Sequence, residues 1–326
     1  MSEIRRIGIF TSGGDAPGMN AAIRAIIRTA NTYDLHIYGI QNGFDGMIDD
    51  QISLIGDDEV RNILQRGGTI LKTARSERFM TKEGRQTAFE NLKARDIDGL
   101  IAVGGNGTFT GASIFYKEFG IPMVGLPGTI DNDLYGTDYT IGFDTAVNTA
   151  MEAVDKIRDT ADSHNRLFLI EVMGRNSGYI ALHTAIASGA SAFVIPEKQI
   201  NLDELLEMIN RSLRRKKLFG LVILAEGNSL GETTDIAKLI KARVPQYDIR
   251  VTIIGHLQRG GSPTAKDRIL AGRLGFEAVE ALMRQQYNVM AGLVNDQLVL
   301  TNFDEAVQKS KVPDSSLIRM AEILGR

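Results

Sequence analysis

An α/β fold built on a parallel sheet is predicted by three features of this 326-residue chain. Short apolar runs of strand length recur, glycine-rich turns leave several of them, and segments of helical composition follow the turns. This strand, glycine loop, helix unit occurs at least four times, the mark of parallel strands joined by right-handed crossovers. The length supports a large core and predicts two lobes. No repeat, low-complexity tract or linker marks a boundary between them.

Each element follows from local pattern. Residues 7–10 read as a buried strand, 11–19 as a glycine-rich loop and 20–30 as an apolar-periodic helix. A second strand covers 36–40, and 83–95 has helical composition. The apolar run 99–103 enters the glycine loop 104–108, with a helix to about residue 116. Residues 121–124 read as another buried strand. The loop leaving it is 125–133, Gly-Leu-Pro-Gly-Thr-Ile-Asp-Asn-Asp, which has little to bury and much to hydrogen-bond. A helix at 145–160, a strand at 167–172, a loop at 173–178 and another helix come next. Strands at 192–195, 221–224 and 251–254 alternate with further helices.

Composition narrows the class. With 43% apolar and 24% charged residues the chain is neither disordered nor fibrous. A net charge of −3 gives no global attraction to nucleic acid or an anionic membrane. The lack of cysteine removes disulfide scaffolds, thiolate metal sites and cysteine nucleophiles together. The first apolar run stops at Phe10, too soon for a signal segment, and no stretch approaches about 18 apolar residues. A soluble, cytoplasmic protein without a membrane or nucleic-acid partner is expected.

Ligands of open parallel sheets bind beyond the carboxyl ends of strands, which directs attention to the loops. Asp131 and Asp133 can supply one base and one metal-facing or orienting group. An Asx-turn or helix cap would use the same residues. Loops 11–19 and 104–108 contain no Walker A motif, and Thr110 stands where a dinucleotide fingerprint needs its third glycine. Glycines still let N–H groups converge on phosphate at the positive end of the following helix. A tight turn alone accounts for one such loop; two in one sheet favour phosphate. Arg75 and Arg175, in polar loops, suit the equatorial oxygens of a transferring phosphoryl group, although loop arginines are usually just solvated. His256 and Arg259, beside Gly260 and Gly261, suit a phosphate monoester. His36, His164 and His183 lack metal-ligand spacing.

Five segments in order carry a family resemblance. They are residues 11–20 (Thr-Ser-Gly-Gly-Asp-Ala-Pro-Gly-Met-Asn), 127–133 (Pro-Gly-Thr-Ile-Asp-Asn-Asp), 136–138 (Gly-Thr-Asp), 171–175 (Glu-Val-Met-Gly-Arg) and 255–263 (Gly-His-Leu-Gln-Arg-Gly-Gly-Ser-Pro). Spanning nearly the whole chain, they resemble the signatures of the bacterial ATP-dependent 6-phosphofructokinases. The resemblance implies a two-lobed, three-layer parallel-sheet sandwich. Residues 1–142 with 258–308 would form a larger ATP-binding lobe, and 143–257 with 309–326 a smaller sugar-phosphate-binding lobe. It further implies a glycolytic homotetramer whose active sites lie between lobes and are completed by a neighbouring subunit.

By the same likeness, ATP phosphates would meet Gly14, Arg75, Ser76, Gly105, Asn106, Gly107 and Thr108. Fructose 6-phosphate would be held by Thr129, Asp131, Met173, Gly174, Arg175, Glu226, His256 and Arg259, with Arg166 and Arg250 reaching in from the neighbour. Asp131 resembles the family's general base toward the sugar 1-hydroxyl. Thr129 would orient the γ-phosphoryl group, Arg175 would stabilise its charge, and Asp133 would assist with Mg²⁺. Pyrophosphate-using relatives carry an acidic residue at the position of Gly107 and a lysine at that of Gly128, so glycine at both favours ATP.

Two departures stand out. The family's second glycine loop holds a magnesium-binding aspartate where this chain has Asn106. An amide oxygen can coordinate a hard cation but lacks the charge that favours Mg²⁺. A slower or more magnesium-demanding enzyme is expected, or alternatively an impaired, regulatory paralogue that binds both ligands. The resemblance also places an ADP or phosphoenolpyruvate effector at Arg24, Arg28, Arg158, Gly189, Ser191, Arg215 and Lys217. There Ser191 replaces the family's glutamate, so weakened or absent nucleotide activation is expected.

Overall fold

The computed structural model describes residues 4–161, 166–213 and 220–325. In chain order its elements are β1 (Arg6–Thr11), α1 (Met19–Asn31), β2 (His36–Ile40), α2 (Gly43–Ile48), β3 (Ile52–Leu54), α3 (Lys82–Lys93), β4 (Gly99–Gly104), α4 (Asn106–Phe119) and β5 (Met123–Pro127). Then come α5 (Phe143–Ala161), β6 (Arg166–Val172), α6 (Tyr179–Ser188), β7 (Ala192–Val194), α7 (Leu202–Leu213), β8 (Gly220–Ala225), α8 (Thr233–Arg243) and β9 (Asp248–Ile253). The chain ends with α9 (Ala265–Met283), β10 (Val289–Val294), β11 (Gln297–Asn302), α10 (Phe303–Gln308) and α11 (Ser315–Leu324). Two compact units result. Unit one is Met1–Thr129, Leu134–Asp144 and Arg259–Ser310; unit two is Ile130–Asp133, Thr145–Gln258 and Lys311–Arg326.

The sheet of unit one runs β11-β10-β5-β4-β1-β2-β3. Its five inner strands are parallel, while β3 and β11 pair antiparallel at the edges. The expected parallel sheet is therefore mixed at both edges, because short connections cannot make crossovers. Between β10 and β11 only Asn295 and Asp296 intervene, both at positive φ (51° and 62°), as a tight hairpin turn requires. β4 is buried along its length, which fits a strand covered on both faces. Along β1 and β4, side-chain alternation sends Phe10, Leu100 and Ala102 into a cluster with Phe44, Phe79, Phe109, Phe115 and Phe303. Ile9, Ile101 and Val103 point to the other face. α1 and α9 approach closely at Gly275, where a Cβ would lie 2.8 Å from that of Ala25.

Unit two holds a four-stranded, all-parallel sheet of order β7-β8-β6-β9. Leu167, Leu169, Val222 and Leu224 pack against Leu205 and Ile209 of α7 and Ile236 and Ile240 of α8. α6 packs on β8, and α11 on α6.

Several boundaries shift by one to three residues from the sequence reading, β9 for example starting at Asp248 rather than 251, and two of the differences bear on the site. β5 continues through Gly125 to Pro127 rather than ending at residue 124. Gly125 is needed inside it because a Cβ would lie 2.4 Å from the Phe109 ring. α4 begins at Asn106, inside the segment read as loop 104–108.

Candidate functional site

In unit one the chain order reverses between neighbouring β1 and β4: β2 and β3 extend one way, β5 and β10 the other. Ligands of doubly wound sheets bind beyond the carboxyl ends of strands at such a point. Both glycine loops leave from it, and Thr129 leaves β5 next door. Their backbones interlock. Ser12 N–H donates to the Val103 carbonyl (3.0 Å), and Gly128 N–H to the Gly104 carbonyl (2.9 Å). Thr108 Oγ1 donates to the Ser12 carbonyl at 3.2 Å. A Cβ on Gly104 would lie 2.3 Å from Thr108 Oγ1 and 2.6 Å from the Ser12 oxygen. One on Gly105 would rest 3.6 Å from Thr129 Cβ. α1 and α4 start at Gly18 and Gly105 with neither a side-chain cap nor an acidic residue in the first turn. α3 and α9, by contrast, are capped by Thr81 and Thr264. The uncapped end of α4 offers N–H groups and positive partial charge to an anion, whereas at α1 Met19 N–H already donates to the Ala16 carbonyl (3.2 Å) and the first turn is buried.

Asn106, Gly107 and Thr108 form the first turn of α4, a correction to the loop reading. Asn106 is half-buried, Gly107 exposed and Thr108 buried. Around Gly107 a Cβ would meet nothing within 4 Å. Gly14 lies against Arg259, whose Nη1 donates to the Asp15 carbonyl at 3.1 Å. Arg259 is thus placed with the first glycine loop. Arg75 is exposed, and Ser76 Oγ donates to Asp45 Oδ1 at 2.5 Å.

In unit two the loops after β6, β8 and β9 share one edge. Met173 N–H donates to Gln258 Oε1 (2.8 Å), and Gln258 Nε2 donates to the Ala146 carbonyl (3.3 Å), both buried. Arg175 N–H donates to Glu226 Oε1 at 2.6 Å. Ser177 Oγ donates to the Asp131 carbonyl at 2.7 Å, which ties the aspartate loop to the loop of Met173, Gly174 and Arg175. Lys311 Nζ donates to Asn132 Oδ1 at 2.9 Å, with Asn132 in the left-handed region (φ 52°). Asp131 is only 5% exposed and Asp133 half-buried, whereas Arg175, Glu226 and His256 are exposed. Sequence reasoning missed Ser177, Gln258 and Lys311 as supports. Gln258 sat in plain view between His256 and Arg259, and a buried polar side chain there must find partners.

Arg166 and Arg250 stay away from this edge. Arg166 opens β6, about 20 Å of strand from Met173. Its Nε donates to Asp248 Oδ2 (3.0 Å), which also accepts from Arg250 Nη2 (3.0 Å). Burial opposes ionisation of Asp248, but the hydrogen bonds from the two arginines outweigh it and hold its pKa below the usual carboxylate range.

The residues expected to bind an effector are distributed over both units. In unit one, Arg28 pairs with Asp57 (3.1 Å), and Arg24 lies one turn earlier on α1. In unit two, Arg158 donates to the Ser188 carbonyl. Gly189 ends α6 at φ 60°, and Ser191 is buried. Arg215 and Lys217 lie outside the described residues. Among the described residues no three His, Asp or Glu side chains gather around a cation. No helix of the described residues is long and apolar enough to cross a membrane.

A family model described as Phosphofructokinase matches residues 6–282. The chain is 53% identical over 324 residues to the ATP-dependent 6-phosphofructokinase 2 of Bacteroides thetaiotaomicron, covering 99% of each. It is 53% identical over 321 residues to the ATP-dependent 6-phosphofructokinase 1 of Thermus thermophilus, covering 98% of this chain and 99% of that one. Among solved structures, the T-state phosphofructokinase of Pichia pastoris superposes with a TM-score of 0.90 at 36% identity, covering 94% of this chain and 36% of that longer one.

Proposed function

This chain belongs to the phosphofructokinase family, and on that premise we propose that it is an ATP-dependent 6-phosphofructokinase of glycolysis. It would transfer the γ-phosphoryl group of ATP to the 1-hydroxyl of fructose 6-phosphate, giving fructose 1,6-bisphosphate and ADP. The observation that carries the reading is the buried Asp131, tied through Ser177 to the loop that presents Arg175. In the reaction the sugar O1 attacks the γ-phosphorus, the bond to the β-bridging oxygen breaks, and the O1 proton passes to the Asp131 carboxylate.

Thr129, at the end of the β5 loop, orients the γ-phosphoryl group. Arg175 neutralises charge on its equatorial oxygens. Gly14, Gly105, Asn106, Gly107 and Thr108, with Arg75 and Ser76, hold the nucleotide phosphates. Met173, Gly174, Glu226, His256 and Arg259 hold the sugar phosphate. Asn106 directly and Asp133 indirectly would hold Mg²⁺, which when bound offsets phosphate charge. The open space around Gly107 supports a nucleotide donor rather than pyrophosphate. A cytoplasmic homotetramer completes the reading, with Arg166 and Arg250 serving a neighbouring copy. The place of β9 at a sheet edge and the exposure of Arg250 support this. An anionic effector, ADP or phosphoenolpyruvate, would bind at Arg24, Arg28, Arg158, Gly189, Ser191, Arg215 and Lys217, with weakened or absent activation by ADP because Ser191 supplies no carboxylate for the nucleotide's metal.

A coupled assay for fructose 1,6-bisphosphate on the purified protein tests the proposal, with ATP and pyrophosphate as alternative donors. Product from ATP alone is expected. Binding of both ligands without product would instead identify a regulatory paralogue, and product from pyrophosphate would overturn the donor assignment.

A further inference from the structure

We propose that Asp45, in the first turn of α2, is a positioning residue for the nucleotide: it clamps the segment that carries Arg75 and Ser76. The inference rests on the reading of those two residues as nucleotide-facing.

Arg75 sits between two anchors within unit one. On its N-terminal side, Thr73 Oγ1 donates to the Gly13 carbonyl (2.8 Å), and Gly13 N–H donates to the Ala74 carbonyl (3.5 Å). On its C-terminal side everything converges on Asp45. Ser76 Oγ donates a hydrogen bond to Asp45 Oδ1 at 2.5 Å while accepting one from Phe79 N–H at 3.1 Å. Arg78 adds Nε and Nη2 to the same oxygen, at 3.2 and 3.0 Å. Its Nη1 and Nη2 also grip both oxygens of Asp49, at 2.7 and 2.8 Å. The Arg78 hydrogen bond outweighs burial and holds the Asp49 pKa below the usual range, so that carboxylate stays charged at neutral pH. These are charge-assisted bonds, stronger and more directional than neutral ones.

What makes this clamp a nucleotide device is the position of α2. Its first residue, Gly43 (φ 60°), touches the end of β1, since a Cβ there would lie 2.7 Å from the Thr11 carbonyl. Phe44 stacks on Phe79 at 3.9 Å between centroids. Gly111 of α4 lies against the same ring, with a Cβ at 3.2 Å. One short helix therefore touches the strand feeding the first glycine loop, the helix after the second, and the segment bearing Arg75. Asp45 is its polar contact with the last.

Binding of ATP and of fructose 6-phosphate to the full chain, each measured separately by calorimetry for Asp45→Ala and Asp45→Asn, tests this without requiring turnover. Asp45→Ala should weaken ATP about tenfold, the worth of one charge-assisted hydrogen bond, and leave the sugar phosphate unchanged. Asp45→Asn should recover most of the loss, because its amide oxygen still accepts from Ser76. Unchanged ATP affinity in Asp45→Ala, equal weakening of both ligands, or an Asn variant as weak as the Ala variant would each overturn the proposal. A wild type that binds ATP yet makes no bisphosphate would refute the proposed function and leave this comparison standing.

Discussion

At the sheet edge of unit one, the candidate residues come together through close backbone approaches at Gly104 and Gly128, and two helices start there without side-chain caps. At the sheet edge of unit two, carboxylate, amide and hydroxyl side chains do the equivalent work: Glu226 holds Arg175, Gln258 holds Met173, and Ser177 holds the Asp131 loop. A backbone cradle is sensitive to size and nearly indifferent to charge. A side-chain edge is sensitive to charge and tolerant of small changes in volume. If unit one takes the nucleotide phosphates and unit two the sugar, with Arg259 a sugar-phosphate residue placed in unit one, substitutions elsewhere should separate along that line.

The largest effect is expected at the base. Asp131→Asn keeps volume and removes proton-accepting capacity, so kcat should fall by about 10² to 10⁴ while sugar affinity stays near wild type. Steady-state kinetics beside equilibrium binding reads this directly, and an unchanged kcat would remove Asp131 from the chemistry. Next comes Gly104→Ala. The new methyl meets Thr108 Oγ1 and the Ser12 backbone oxygen, so about 1–3 kcal/mol of stability should be lost. ATP affinity should fall with it while fructose 6-phosphate binding persists; loss of both would erase the contrast between the units.

A smaller effect is expected from Asn106→Asp, which restores a carboxylate to the first turn of α4. Half-maximal rate should need roughly fivefold less Mg²⁺, the equivalent of about 1 kcal/mol. Identical metal titrations and kcat would show that the amide suffices. The smallest effect concerns acid stability. The Arg85 guanidinium binds Glu118 through Nε (2.6 Å) and Nη2 (2.8 Å) and lowers its pKa. A depressed carboxylate contributes stability above its unfolded pKa of about 4.3, and that contribution is lost as pH falls through the folded value. Glu118→Gln should therefore lower Tm at pH 7 and much less at pH 3. A deficit independent of pH would assign the effect to packing.

Much of this was legible in the sequence because glycine loops and buried strands are written locally. The strand at 36–40 and the apolar run entering Gly104 needed only pattern. α2 did not show itself, since six residues with two glycines have no helical period and the helix is held by Phe44 packing on Phe10 and Phe79. The β10–β11 hairpin did carry a signal, Asn295-Asp296 between apolar runs, which turn chemistry could have found. Asn106 was read as loop because glycines on both sides outweighed the helical composition after them. Ser177 and Lys311 could not be found by spacing at all: they meet the Asp131 loop from 46 and 179 residues away in sequence, a pairing made only by the tertiary fold.

The most direct test is a crystal structure of the protein with a non-hydrolysable ATP analogue and fructose 6-phosphate bound together. The Asp131 carboxylate should lie within about 2.6–3.2 Å of the sugar 1-hydroxyl, with the terminal phosphate of the analogue against Gly14 and the first turn of α4. Either ligand bound away from those residues, with both present at saturation, would contradict the account.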